Sequence, residues 1–374
     1  MTDCESVAAP TYSTLVSSVL PPSAATHWRE RGRCQSTAGL GELHSVTPAT
    51  AATIMAWRAS LPRAQAQPFR ATASRGISTH NPPSAALARL ASRIPKGTWC
   101  THMHVVDPRT FPLSKAAQYQ PSPHTLDDAR AFLSQLGIEK LVIVQPSIYG
   151  NDNACTLDGL RRLGPRHGRA VVQFEPKTTS REQLQDWHDL GVRGVRLNFK
   201  SVGGTVEQAS LTASLREYAA AVRQFGWVLE LYIAMEDVPL LEQAMVVIPG
   251  AKVCIDHIGH PSPASLEAAK EAQDIPGFQA LMNLLKRGQT WVKVSASYRL
   301  SKDPRSTLVE SLSREIFRAR PDRCIFATDW PHTRFDGLDV TPYLEALMDH
   351  IQAEGIPLRR VLVENAEELF DARY

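Results

Sequence analysis

Beyond residue 98 the sequence alternates short apolar runs with longer amphipathic segments, and this alternation limits the possible folds more than any other feature. The apolar runs cover residues 99–106, 140–145, 170–174, 192–199, 227–233, 252–258, 291–295 and 324–327. Short runs of this kind, rich in Val, Ile and Leu, are the pattern of strands buried on both faces. The intervening segments read as helices over 124–137, 156–163, 181–190, 207–225, 238–246, 266–286 and 308–318, with closing helices over 342–354 and 366–370. In the first of these, Leu126, Ala129, Phe132, Leu133 and Leu136 share a face and Gly137 supplies the stop. Eight such units within residues 96–374 come close to the ~250 residues of a (β/α)8 TIM barrel. A doubly wound open sheet is the alternative for alternating elements. It requires a Gly-rich phosphate turn after a strand, and Gly203-Gly204 lacks the spacing for one.

Residues 1–95 have a different texture, rich in Ala, Ser, Thr, Pro and Arg, and are expected to form a long, largely disordered extension. No acidic residue occurs between Glu42 and Asp107, while Arg58, Arg63, Arg70, Arg75, Arg89 and Arg93 are spread through the interval. An Arg-rich, Ser-rich, acid-poor segment is the composition of a mitochondrial transit peptide, which points to the matrix. Met55 is a natural start for such a peptide, and Arg75-Gly-Ile-Ser-Thr79 a processing region. The alternatives are a basic tail on a cytoplasmic protein, or an upstream stretch that is never translated. The formal charge of +3 gives no reason to expect a nucleic-acid partner, and no apolar run approaches the ~20 residues of a membrane span. Six cysteines in 374 residues do not make a disulfide framework. Cys100, Cys254 and Cys324 lie inside apolar runs, where cysteine behaves as a small buried hydrophobe.

In a barrel the C-terminal ends of the strands converge on one mouth, where active sites form. Here those ends carry the chemistry. The first run ends His102-Met103-His104, and alternate residues of a strand face the same side. The second ends Gln145-Pro-Ser147-Ile-Tyr149, the fourth carries Arg193 and Arg196, and the fifth Glu230 and Tyr232. The sixth ends Asp256-His257-Ile-Gly-His260 and the seventh runs through Lys293 and Ser295 to Tyr298-Arg299. The eighth delivers Asp329, then Trp330, Pro331 and His332. A carboxylate at the end of a buried strand is costly unless its charge is used.

These motifs together resemble the amidohydrolase superfamily. Within it the chain is similar to the amidohydrolase-2 branch that includes 2-pyrone-4,6-dicarboxylate and 4-sulfomuconolactone hydrolases. The resemblance rests on His-Met-His (102–104), Tyr-Gln-Pro (119–121), the run 145–153, Gly-Val-Arg-Gly-Val-Arg-Leu-Asn (191–198), Asp-His-Ile-Gly-His-Pro (256–261), the run 292–301, Ala-Thr-Asp-Trp-Pro-His (327–332) and the run 364–370. It spans nearly everything beyond the leader and is specific for the family rather than for one substrate.

The resemblance implies a hydrolase that opens a lactone or pyrone ring of a small acidic substrate. Asp329 is then the general base on water, and N–H groups of His102, His104 and His257 polarise the carbonyl. Arg196 and Arg299 clamp substrate carboxylates, with Ser147, Tyr149, Tyr119, Tyr232, His260 and His332 as further binding candidates. Arg193 is expected to face the helices. Many relatives bind one or two divalent ions, but here Arg196 and Tyr232 stand where metal ligands are expected. The expectation is therefore no cofactor, the alternative being one zinc held by His102, His104 and Asp329. Two other readings stay open: a metal-dependent decarboxylase of an aromatic or unsaturated acid, and a barrel retained as a binding module.

Overall fold

The computed structural model describes residues 84–200 and 206–373, so most of the expected leader, with its start and processing region, lies outside the described residues. Eight strands follow one another around a single sheet: β1 Trp99–Met103, β2 Lys140–Val144, β3 Gly168–Val172, β4 Val192–Asn198, β5 Val228–Tyr232, β6 Lys252–Ile255, β7 Thr290–Val294 and β8 Cys324–Phe326. Each pairs in parallel with the next, and helices occupy the intervals. This is the (β/α)8 barrel that the alternation predicts.

Strand residues of one parity face the helices, while Trp99, Val142, Val144, Val171, Val228, Cys254, Trp291 and Ile325 pack together inside the barrel. Ala366, Leu369, Phe370 and Ala372 of the C-terminal segment join that interior cluster. Arg169 ties the segment down by donating to the backbone carbonyls of Phe370 and Asp371. Gly194 leaves room inside the barrel: a Cβ there would lie 2.8 Å from Val228 Cγ1.

Parity along β1 needs one adjustment. Trp99 packs in the barrel interior, so strict alternation would turn His102 outward. The register with β2 shifts between Cys100 and Met103, and this irregularity re-aims the strand. Cys100 and Met103 pack on the helix side, and His102 faces the interior.

Two expectations are corrected. The N-terminal extension does not run unstructured to residue 95. A helix spans Ala85–Arg93, capped by Ser84, with Leu90 fully buried. It docks on the helix Thr341–Ala353 through Arg89 to Glu345 (3.0 Å) and Arg93 to Asp349 (2.7 Å). The single helix expected over 266–286 is broken into Pro263–Ala268, a 3-10 turn Ala272–Asp274 and Phe278–Arg287. Pro276 has no N–H to continue a helix, and Gly277 adopts φ 86°, where a Cβ would strike the Met235 carbonyl. The four cysteines among the described residues are free and buried, and no helix among those residues is long and apolar enough to cross a membrane.

Candidate active site

The last strand meets the first at the mouth. Met103 forms an isolated parallel bridge with Trp330, the Asp329 N–H donates to the His102 carbonyl (3.1 Å), and the His104 N–H donates to that of Trp330 (2.9 Å). Asp329 adopts φ 60°, a left-handed conformation that non-glycine residues rarely hold without support. These backbone bonds supply that support, and they set the Asp329 carboxylate beside the histidines of β1.

Beneath the mouth lies a buried layer of charge. Lys293 of β7, Glu230 of β5, His102 of β1 and Asp256, just past β6, are all fully buried. The Lys293 ammonium lies 2.5 Å from Glu230 Oε2, 3.4 Å from Asp256 Oδ1 and 3.0 Å from His102 Nδ1. Burial works against the charge on Lys293, but Glu230 and Asp256 outweigh it and raise the pKa. For Glu230, burial and the Asp256 charge win over Lys293 and push the carboxyl up to about 7. Burial opposes ionisation of Asp256 as well, yet Lys293 and His102 hold its pKa below the usual carboxylate range. The Lys293 ammonium can donate to His102 Nδ1, a nitrogen that also lies 3.3 Å from Asp256 Oδ1 and 3.4 Å from Glu230 Oε1, while His102 Nε2 faces the mouth.

Asp329 divides its two oxygens. Oδ2 accepts from the Tyr298 hydroxyl (2.6 Å) and from Arg299 Nε (2.8 Å). Oδ1 faces His257 Nε2 at 3.7 Å and His102 Nε2 at 3.9 Å. Burial disfavours its charge, but Arg299 and then His257, His102 and His104 hold the carboxyl well below its ordinary value. The imidazoles stay neutral. Burial depresses all three, with Lys293 adding to the effect on His102 and Arg196 to that on His104, which falls to about 3.

His104 corrects the expectation of three equivalent N–H donors. Its Nδ1 lies 2.8 Å from the Val144 carbonyl, which can only accept. The proton of the neutral ring is therefore on Nδ1, leaving a lone pair on Nε2. His257 Nδ1 is 3.0 Å from the Ser295 hydroxyl, which can donate to it and so leave the His257 proton on Nε2.

Above these groups opens a cavity of about 460 Å³, lined by His104, Tyr119, Ser147, Arg196, Tyr232, His257, His260, Arg299 and Asp329 among others. Arg196 donates to the Gln145 carbonyl (2.9 Å), lies 4.0 Å from Asp256 and has its guanidinium 5.8 Å over the Tyr232 ring. Arg193 turns away, to the His188 carbonyl. Two binding candidates do not reach the cavity wall. The Tyr149 hydroxyl is taken up by the Asp107 N–H (2.9 Å) in a buried position. His332 is buried edge-on to Phe132 and Tyr298, behind the Asp329 turn, and its N–H donates to the Asp329 carbonyl.

Sequence reasoning noted Glu230, Asp256 and Lys293 near strand ends without giving them a role. Lys293 and Glu230 are lone charges in apolar strands, each two residues before a polar mouth residue, and that inward parity was the available signal. Tyr298 stands at the end of the seventh run without a role read for it, and Lys200 and Arg334 were missed because they sit on loops, where no periodicity predicts direction.

For a metal, His102, His104 and Asp329 each offer a ligand atom within 4.8 Å of the others, as do His102, Asp256 and His257. Three protein ligands suit a catalytic zinc. Against one, Lys293 places a positive charge 3.0 Å behind the ring of His102, whose Nε2 faces Asp329.

The family profile described as amidohydrolase matches residues 100–372. A 4-sulfomuconolactone hydrolase of Rhizobium radiobacter is 32% identical over 304 residues, covering 79% of this chain and 97% of its own length. A 2-pyrone-4,6-dicarboxylate hydrolase of Comamonas testosteroni is 28% identical over 293 residues, covering 74% and 91%. A solved structure from Pseudomonas putida, provisionally described as a 2-pyrone-4,6-dicarboxylic acid hydrolase, superposes with a TM-score of 0.62 at 30% identity, covering 75% of this chain and all of that one.

Proposed function

Because this chain belongs to the amidohydrolase family of hydrolytic enzymes, we propose that it adds water to the ester carbonyl of a lactone or pyrone ring in a small acidic substrate, without a metal. The observation that carries this reading is the split environment of Asp329, with one oxygen fixed by Tyr298 and Arg299 and the other open to the imidazoles.

In this reading each group has a part. A water at the mouth donates one proton to Asp329 Oδ1 and the other to the His104 Nε2 lone pair, leaving its own lone pair aimed at the carbonyl carbon. As the C–O bond forms, Asp329 takes the proton and the carbonyl electrons move onto oxygen. His102 and His257 present Nε2–H groups to that oxyanion, and one such donor in a dry site is worth roughly 3 kcal/mol. Collapse breaks the ring C–O bond, and Asp329 returns the proton to the departing oxygen. A substrate carboxylate on the remaining N–H edge of Arg299 would draw that cation partly off Asp329 and make it a better base.

The test is incubation of the enzyme and of D329N with pyrones, lactones and benzoic acids, following product mass. The expected result is a gain of one water with the enzyme, and a rate lower by about 10²–10⁴-fold with D329N while the substrate still binds. Loss of carbon dioxide would establish decarboxylation instead. Protein purified without chelator is expected to hold no stoichiometric zinc. Zinc at one equivalent, removed together with activity, would overturn the metal-free mechanism.

A further inference from the structure

The cavity lining carries more positive charge than the proposed chemistry uses. Arg196, Lys200, Arg299 and Arg334 face it, against Asp329 as the one carboxylate of the lining. Three of the cations are already engaged: Arg196 with the Gln145 carbonyl, Arg299 with Asp329, and Lys200 with the His260 carbonyl at 2.7 Å. Arg334 differs. Its guanidinium lies 4.8 Å over the Tyr119 ring, and among the described residues it has no carboxylate partner and no side-chain hydrogen bond.

A guanidinium held over an aromatic ring gains from the ring's negative face and still has N–H donors for acceptors. The contact also limits the rotamers of a long side chain, so less freedom is lost when an anion docks. Arg334 follows the Asp329 turn, adopts φ 72° and is exposed at the cavity lip. Arg196 and Arg299 are set deeper, nearly buried beside Asp256 and Asp329. The cavity therefore offers cations at two depths, one beside the reacting carbonyl and one at the entrance.

We propose that Arg334, held over Tyr119, selects substrates with a second anionic group by binding that group at the entrance while the first is held near Arg196 and Arg299. This deepens the lactone-hydrolase reading and rests on it for the identity of the substrate, though not for the anion site itself.

The variants are R334N and R334K. Asn is among the residues most tolerant of positive φ, so R334N removes the cation without straining the loop. Two unsaturated lactones are compared, one with a single carboxylate and one with an added carboxylate or sulfonate on the far side of the ring. For the dianion, R334N is expected to raise KM about tenfold to a hundredfold with kcat little changed, as for loss of a charged hydrogen bond. For the monoanion KM stays the same, and R334K recovers part of the loss. Equal effects on both lactones, or none on either, overturn the proposal. Equilibrium binding of the corresponding cyclic-ether diacid, which cannot be hydrolysed, is measured in parallel. If neither lactone turns over but R334N still loses the diacid, the anion site stands and the lactone reading falls. If R334N binds the diacid as the wild type does, the anion site is wrong whatever the turnover.

Discussion

At the scale of single residues, the most demanding placement is Lys293. Its ammonium is fully buried among Glu230, Asp256 and His102. Removing one partner of a buried pair leaves the other charge uncompensated, at a cost of about 3–5 kcal/mol. K293M is therefore expected to lose about that much stability in chemical denaturation, and K293M/E230Q to regain part of it because both charges leave together. A double variant no more stable than K293M would mean that Glu230 is not the principal partner. Asp329, His102, His104 and His257 were legible because they stand at strand ends, where the barrel dictates convergence. The roles of Lys293 and Glu230 were not, since a strand pattern reports which face a side chain takes and not what it meets across the barrel. The His104 tautomer was out of reach for the same reason: it is decided by the Val144 carbonyl, 40 residues away.

At the scale of elements, alternation and glycine stops located every strand, with ends one to three residues beyond those observed. Regular periodicity explains that success. Local chemistry without periodicity explains the misses. Pro276-Gly277 broke a helix whose apolar spacing continued across it. The helix Ala85–Arg93 was read as part of the leader because its composition matches the leader, although Leu90 is fully buried. That burial makes the helix part of the folded body. L90A is expected to lower stability by about 2–5 kcal/mol, the range for a leucine truncated in a packed site. A shift in denaturation midpoint equal to that of an exposed leucine-to-alanine change would show instead that the helix docks only loosely.

At the scale of the whole molecule, the buried histidines link folding to pH. Burial lowers His104 to about 3 and His332 to about 4, both from an ordinary 6.5. The unfolded chain therefore binds protons on these rings between about 6.5 and about 4, where the folded chain does not. Their contribution is present above 6.5 and is lost as pH falls through that window, so the denaturation midpoint should drop on acidification from 7 towards 4. Glu230, raised to about 7, offsets part of this drop, so a midpoint that rises on acidification across the window would contradict the neutral, buried state of these rings. The barrel itself was legible from the count of units, but the place where its ends join was not. Because the seam runs through Met103 and Trp330, Asp329 and the β1 histidines beside it come from opposite ends of the folded barrel. During synthesis a ribosome-bound fragment that stops short of β8 holds those imidazoles without Asp329. On the proposed mechanism turnover therefore cannot precede completion of the last strand, and activity becomes a readout that the ring has shut.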